Sequence, residues 1–395
     1  MDTTQALALL GGLSPQQFMQ RHWQKKPLLV RQALPGFKPL LSRTELFGLA
    51  SQERVESRLV IQGASGWRMK SGPFAPRSLP ALSKPAWSLL VQGVDLHDAR
   101  AHALLQQFRF VPDMRLDDLM ISYASTGGGV GPHYDSYDVF LLQASGRRRW
   151  RIGKQTDLTL QQGVPLKILQ NFDHTKEFVL EAGDMLYLPP RYAHDGVAQD
   201  CLGADGKPEA CMTYSIGFRA PGQAEIAGAL LQRLAEYCSD DGDALATPKI
   251  YKDPQQPATD HPAALPPALT DFARASVAAA LKDPLALACA LGEYLTEPKS
   301  SVWFEGKASH AAPVGSQALA LDSRTRMMYD DKHIFINGES YRAQGADALL
   351  MRQLADQRAL SVAQLRKVSS DAKVLLADWL DAGWLHTAKL KDQPV

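Results

Sequence analysis

Between about residues 55 and 220 the chain is a succession of short β-prone runs separated by Gly, Pro and Asp. The runs fall near 58–62, 87–92, 119–124, 138–143, 149–152, 178–180, 185–188 and 212–218. Many short strands with turn punctuation predict a sandwich or barrel. Ahead of them, Ser14-Pro15 offers an N-cap followed by Pro at the first helical position, which predicts a short helix through about Trp23. Lys26-Pro27 breaks it before a Leu28-Leu29-Val30 strand.

The pattern changes at Pro221-Gly222. Ile226, Leu230, Leu231 and Leu234 follow a helical period, an Asp- and Pro-rich stretch runs from Ser239 to Pro267, and two more helical segments lie near 268–281 and 284–295. Further on, 327–341 reads as a hairpin with Asn337-Gly338 at its turn, followed by helices near 346–357, 361–368 and 370–382. The expected fold is α+β in three parts. They are a β-rich domain over 1–221, a helical domain over 222–300 and a winged-helix-like domain over 301–395. The apolar faces of the middle helices need a partner surface, either a second copy of the chain or the β domain.

Bulk composition narrows the function classes. Lys and Arg number 43 against 42 Asp and Glu, a net charge of +1, so nothing in the sum attracts nucleic acid or an anionic membrane. The winged-helix region, 321–395, holds eleven Lys and Arg against ten Asp and Glu, and its second helix carries only Arg366 and Lys367. It reads as a packing module, and direct nucleic-acid binding is not expected. No apolar run is long enough to span a bilayer. The N-terminus lacks the basic region of a signal peptide. Four scattered cysteines form no CxxC pair, which argues against a zinc knuckle or a disulfide framework and for the cytoplasm.

The chemistry sits in Gly127-Gly128-Gly129-Val130-Gly131-Pro132-His133-Tyr134-Asp135. In an extended run, residues two apart share a face, so His133 and Asp135 converge on one point. A second histidine would complete the 2-His-1-carboxylate set that leaves open positions on a non-haem Fe(II). His194 is the best candidate, placed after a strand and a Pro189-Pro190 turn; His174, in Asn171-Phe172-Asp173-His174, is the runner-up. On the run Arg147-Arg148-Arg149-Trp150-Arg151-Ile152, Arg148 shares the apolar face with Trp150 and Ile152 and points inward. A buried guanidinium needs an anion and grips a carboxylate bidentately, so Arg148 suits the far carboxylate of 2-oxoglutarate, or else a structural ion pair. Alternation places Leu116, Asp118, Met120, Ser122 and Ala124 on one face, with Ser122 able to join Arg148 and Asp118 able to meet a cationic substrate. Tyr137 continues the face of His133 and Asp135, where its ring could stack on a guanidinium. Ser215 lies on the small face of its strand with Thr213 and Gly217.

These stretches resemble the Jumonji-C class of 2-oxoglutarate oxygenases, and most closely the bacterial ribosomal oxygenase family. The resemblance is carried by residues 21–27, 87–92, 117–122, 127–140, 146–151 and 214–221. It implies a double-stranded β-helix (cupin-like) core, a helical dimerisation domain and a winged-helix C-terminus. It also implies hydroxylation of an arginine in large-subunit ribosomal protein sixteen. Iron ligands then fall on His133, Asp135 and His194, 2-oxoglutarate contacts on Ser122 and Arg148, and substrate-arginine contacts on Asp118, Tyr137 and Ser215. Two departures bear on substrate choice: Arg191 stands where the family has Gly after the Pro-Pro turn, and the 199–210 loop is long. The rival readings are a histidine hydroxylase acting on a ribosomal protein, and a non-catalytic metal-binding cupin that regulates DNA through its winged helix.

Overall fold

The structure, a computed structural model, describes residues 2–203, 206–240, 250–257, 263–306 and 314–388. It divides into two compact units, 1–220 and 221–393.

The first unit opens with helix α1 (Pro15–Arg21). Ser14 caps it by accepting from the Gln17 amide while the Gln17 side chain returns to the Ser14 amide, and Pro15 fills the first position without wasting a donor. Strand β1 (Leu28–Val30) and helix α2 (Arg43–Ala50) follow. Next come β2 (Ser57–Gly63), β3 (Gly66–Ser71), β4 (Trp87–Val91), helix α3 (Ala99–Gln106) and β5 (Leu116–Ala124). The remaining strands are β6 (Val139–Ser145), β7 (Arg147–Gly153), β8 (Lys176–Leu180), β9 (Met185–Leu188), β10 (Ala193–Gln199) and β11 (Cys211–Phe218).

Eight strands form one sheet in the order β1-β9-β6-β11-β5-β4-β2-β3, and three form a second, β10-β7-β8; neighbouring strands in both pair antiparallel. Alternation divides each strand between two cores. Leu119, Ile121, Tyr123, Met212, Tyr214, Ile216 and Phe218 pack outward against Phe18, Trp23, Leu46 and Phe47 of the N-terminal segments. Val139, Leu141, Trp150, Ile152, Leu180, Leu186 and Leu188 fill the space between the two sheets. Each such side chain contributes ~1.5–3 kcal/mol on burial. The opposite faces of β5 and β11, with Asp118, Met120, Ser122, Thr213 and Ser215, are left to line the inter-sheet space.

Leu116 departs from the predicted alternation. The β11–β5 register shifts between Gly217 and Phe218, which pair with Asp118 and Leu116. This bulge skips Asp117 and turns Leu116 into the outer core, away from the face of Asp118.

In the second unit, α4 (Gln223–Asp240), α5 (Pro267–Ala280) and α6 (Pro284–Thr296) are the middle helices. Arg233 of α4 pairs with Glu297 just past α6, and Tyr294 of α6 bonds Glu225 of α4. Strands β12 (Ala318–Leu321), β13 (Met327–Tyr329), β14 (His333–Ile336) and β15 (Glu339–Arg342) follow. The expected Asn337-Gly338 turn joins the last two, with φ of 48° and 90° as a type I′ turn requires. Helix α7 (Gly345–Gln357), β16 (Ala359–Leu360), α8 (Val362–Leu365), α9 (Ser370–Asp381) and β17 (Leu385–Ala388) complete the unit. Helix α6 is built into the hairpin: Thr296 Oγ1 accepts from the Gly338 amide at 3.1 Å, and Ser340 donates to Glu293 at 2.6 Å.

Candidate active site

The Gly-rich loop crosses the inter-sheet space because it has no side chains. A Cβ on Gly128 would stand 2.2 Å from the Trp87 carbonyl oxygen, and one on Gly129 would stand 2.6 Å from that of Gly196. Val130, Gly131 and Pro132 then deliver His133. The segment after it is extended but is not a ladder strand, in contrast to the strand expected from sequence. A single bridge holds it: His133 and His194 exchange backbone hydrogen bonds of 2.9 and 2.8 Å. The carbonyl of Asp135 accepts from the Arg191 amide at 2.7 Å, which ties the carboxylate residue to the turn preceding β10.

His133, Asp135 and His194 converge, each offering a ligand atom within 4.8 Å of the others. Nε2 of His194 is 3.6 Å from Asp135 Oδ2, and the imidazole centroids are 4.2 Å apart. Nδ1 of His133 faces the Gly131 carbonyl at 2.9 Å, and Nδ1 of His194 faces the Tyr192 carbonyl at 2.9 Å. Each carbonyl demands a proton on Nδ1, which leaves the Nε2 lone pairs for a metal. Burial first, and the adjacent His133 ring second, push the His194 imidazole down to about 4, so it stays neutral and able to ligate. His174 takes no part; it is exposed and stacks on Phe172.

Deeper in, Arg148 is 4% exposed. Its Nη1 donates to the Gly196 carbonyl at 3.1 Å and its Nη2 to Ser122 Oγ at 3.2 Å, while Nε has no partner among the described residues. Both acceptors are neutral. The strand register brings the two residues together from opposite sheets. Ser122 sits beside Thr213 on β11, and Thr213 beside Gln143 on β6, with Thr213 donating to Gln143 at 3.0 Å. This buried polar row was not read from the sequence for Thr213 or Gln143, although the small-face alternation of β11 pointed to Thr213. Gly196 is held free of a side chain by Trp150, whose ring would lie 2.5 Å from its Cβ.

Asp118, on β5, is 3% exposed and pairs across β11 with Gly217. Its Oδ2 accepts from Gln92 Nε2 at 2.6 Å and from the Gly93 amide at 3.0 Å. Gln92 in turn is bonded by Arg58 at 3.4 Å. Sequence reasoning missed Gln92, since a lone glutamine after a strand carries no signal. Tyr137 is half open to solvent; partial enclosure first, then the carboxylates of Asp135, Asp118 and Asp117, push its phenol upward, so it remains protonated. Ser215 pairs with Met120 and Leu141 in the row between Thr213 and Gly217. The segment carrying these residues is anchored by fully buried Asp138, which accepts from Tyr187 at 2.6 Å, Arg115 at 3.1 Å and Gln24 at 3.2 Å. Arg191 adopts φ of 62°, a left-handed conformation that favours glycine. The 199–210 loop begins at the end of β10 remote from His194, five residues further along the strand.

Known proteins share the domains and the fold of this chain. Residues 103–226 match the JmjC domain family and residues 279–386 the ROXA-like winged helix, which takes in α6. The chain is 38% identical over 285 residues to the Escherichia coli ribosomal protein uL16 3-hydroxylase, covering 71% of each chain. The chain belongs to the ribosomal oxygenase family. A probable ribosomal oxygenase of Haemophilus influenzae is 35% identical over 236 residues, 58% of this chain and 55% of that one. The Escherichia coli ribosomal oxygenase YcfD, solved with cobalt and 2-oxoglutarate, superposes with a TM-score of 0.77 at 30% identity, over 94% of this chain and 97% of the other. The double-stranded β-helix with a C-terminal winged helix is therefore the fold, and the ribosomal oxygenase is an Fe(II)- and 2-oxoglutarate-dependent enzyme of the Jumonji-C type. Among the described residues no single helix is long and apolar enough to cross a membrane.

Proposed function

We propose that the enzyme hydroxylates an arginine side chain of a ribosomal protein, large-subunit protein sixteen (uL16), in the cytoplasm. The observation that carries the cofactor half of this reading is Arg148, a buried guanidinium with only neutral partners among the described residues. A charge so placed is costly unless an anion joins it. The far carboxylate of 2-oxoglutarate supplies one, and Ser122 adds a hydroxyl. His133, Asp135 and His194 would hold Fe(II), which with 2-oxoglutarate and O₂ supplies the oxidant that converts a C–H bond into C–OH, releasing succinate and CO₂.

The protein's own task is placement. Asp118, its carboxylate aimed by Gln92 and Gly93, would bind a guanidinium, and Tyr137 would stack on it. Ser215 lines the floor between them. A carboxylate attracts a guanidinium more strongly than a neutral imidazole, which favours arginine over histidine. Holding the cation fixes one methylene against the metal, and such positioning is worth several powers of ten in rate. The test is peptide hydroxylation followed by mass spectrometry with Asp118→Asn. The expected result is a loss of at least a hundredfold in kcat/KM for an arginine peptide, with 2-oxoglutarate affinity kept. Unchanged peptide turnover rules out the role.

The domain order is proposed as an oxygenase domain over 1–221, a helical dimerisation domain over 222–300 and a winged-helix-like domain over 301–395. Leu231, Val277, Leu281, Leu287 and Leu291 are exposed apolar residues on the middle helices and support a homodimer. Light scattering should give twice the chain mass, and Val277→Asp with Leu281→Asp should halve it.

A further inference from the structure

We infer that the edge hairpin beside the active site, with the segment that follows it, is a docking surface for the phosphate backbone of RNA. The inference rests on the ribosomal-protein reading only for its biological setting; the surface itself stands on charge and position.

The near-zero net charge conceals a strong segregation. From Ser57 to Val94 the chain has no Asp or Glu, although a stretch of that length would hold about four at the chain's average. The same stretch carries Arg58, Arg68, Lys70, Arg77 and Lys84. Arg58 is half-buried and engaged with Gln92 and, at 3.8 Å, with Glu56. The other four are exposed, and none forms an ion pair among the described residues. Arg68 and Lys70 share one face of β3, about 7 Å apart, with Trp67 and Met69 on the other, half-buried face.

Two close approaches fix this segment against the catalytic loop. The Trp67 ring packs on Gly131, reaching within 3.1 Å of where a Cβ would stand, two residues before His133. Past β3, the chain runs back along β2: Gly72 donates to Ser57 at its start, and Gln62 near its end donates to Ala86. Ala86 then donates to Thr126 and lies against Gly127, where the Gly-rich loop begins. Whatever the hairpin binds therefore sits beside the loop that delivers the metal ligands.

A simpler account is that charges on β3, the last strand of its sheet, discourage edge-to-edge pairing. That explains Arg68 and Lys70. It does not explain Arg77 and Lys84, which lie outside any strand, or the missing acids. An acidic protein is the competing partner. Nucleic-acid interfaces are much more positively charged than protein–protein ones, and a segment with four exposed cations and no acid of its own belongs to the former class. A ribosomal-protein substrate presented next to ribosomal RNA would supply that phosphate.

The experiment uses the full chain and a short fluorescein-labelled single-stranded RNA, with anisotropy followed between about 50 and 200 mM salt. Four contacts predict a log K against log salt slope of about −3, since each cation on a single strand contributes about −0.7. Arg68→Gln with Lys70→Gln should reduce the slope by about 1.4, and adding Arg77→Gln and Lys84→Gln should abolish binding. Arg68→Lys with Lys70→Arg should restore it. No binding at the lowest salt, or full binding by the fourfold variant, overturns the proposal. So does equal competition by polyglutamate or by anionic vesicles at matched charge. Hydroxylation of an isolated uL16 peptide is measured alongside and should be the same in the fourfold variant. A wild-type protein that binds RNA yet hydroxylates no such peptide refutes the substrate reading and leaves the surface in place.

Discussion

Replacing Arg148 with Met tests whether the buried guanidinium is a structural member or a waiting ligand site, because the two roles predict opposite stability changes. If the arginine completed an internal ion pair, removing it would strand a buried carboxylate at a cost of about 3–5 kcal/mol. No carboxylate pairs with it among the described residues; its bonds go to the Gly196 carbonyl and to Ser122 Oγ. Met fills a similar volume and removes a charge whose burial costs several kcal/mol, against about 1–3 kcal/mol for leaving the Gly196 acceptor unpaired. The Ser122 hydroxyl can rotate to another acceptor. The apoprotein should therefore stay within about 2 kcal/mol of wild type by chemical denaturation, with a gain more expected than a loss. Affinity for 2-oxoglutarate should fall by about 2–5 kcal/mol, the cost of breaking a buried charged pair, which is roughly thirtyfold to several thousandfold. The assay is thermal denaturation with and without 2-oxoglutarate in the presence of metal. Wild type should gain stability with ligand as RT ln(1 + [L]/Kd), and Arg148→Met should gain none at the same concentration. An apoprotein destabilised by more than 3 kcal/mol that still binds 2-oxoglutarate within fivefold of wild type would refute the reasoning.

Gly128→Ala drives a methyl to 2.2 Å from the Trp87 carbonyl and 2.8 Å from that of Ser125, both fixed backbone, so a loss at or above the upper end of about 1–3 kcal/mol is expected in denaturant titration, with weaker metal binding. Asp184 tests the acid limb of stability. Burial opposes its ionisation, but hydrogen bonds from the Gln32 and Glu181 amides and from Arg31 outweigh burial and hold its carboxyl below the usual value of 3.8. A lowered folded pKa gives stability that is present above the unfolded pKa and lost as pH falls through the folded one. The denaturation midpoint should therefore drop as pH falls below about 4, and Asp184→Asn should be less stable at neutral pH with a flatter acid limb. An identical acid limb in the variant would show that other carboxylates carry it.

The legible part of the site is the part written in strand parity. Ser122 and Arg148 were turned inward by a period of two, and the pairing of β7 with β10 and of β5 with β11 places them 3.2 Å apart on facing sheets. Parity failed where the ladder itself is interrupted. The β-bulge at Gly217 sends Leu116 into the outer core, and a bulge has no composition of its own to read. Strand β10, Ala-His-Asp-Gly-Val-Ala-Gln, was invisible because a small, polar sequence lacks β propensity; pairing with β7 imposes the conformation, and Gly196 is there for the Trp150 ring. His133 and Asp135 converge although they lie outside a ladder, since one bridge and one Arg191-to-Asp135 bond do what a strand would have done.

Charge was harder to read than parity, for a physical reason. A net charge is a sum, whereas a partner is met by a surface. The sum of +1 argued against polyanions, and the absence of any acid from Ser57 to Val94 argues for one at that segment. The same logic separates Asp118 from Asp138. Both are buried acids, but Asp138, just ahead of β6, is closed off by Tyr187, Arg115 and Gln24, while Asp118 on β5 has Oδ2 oriented by two neutral donors and faces a residue without a side chain. An acid satisfied by a cation is structural. Two neutral donors aim the Asp118 carboxylate, as two neutral acceptors hold the Arg148 guanidinium. In the function proposed above, Asp118 meets the cationic substrate and Arg148 the anionic co-substrate.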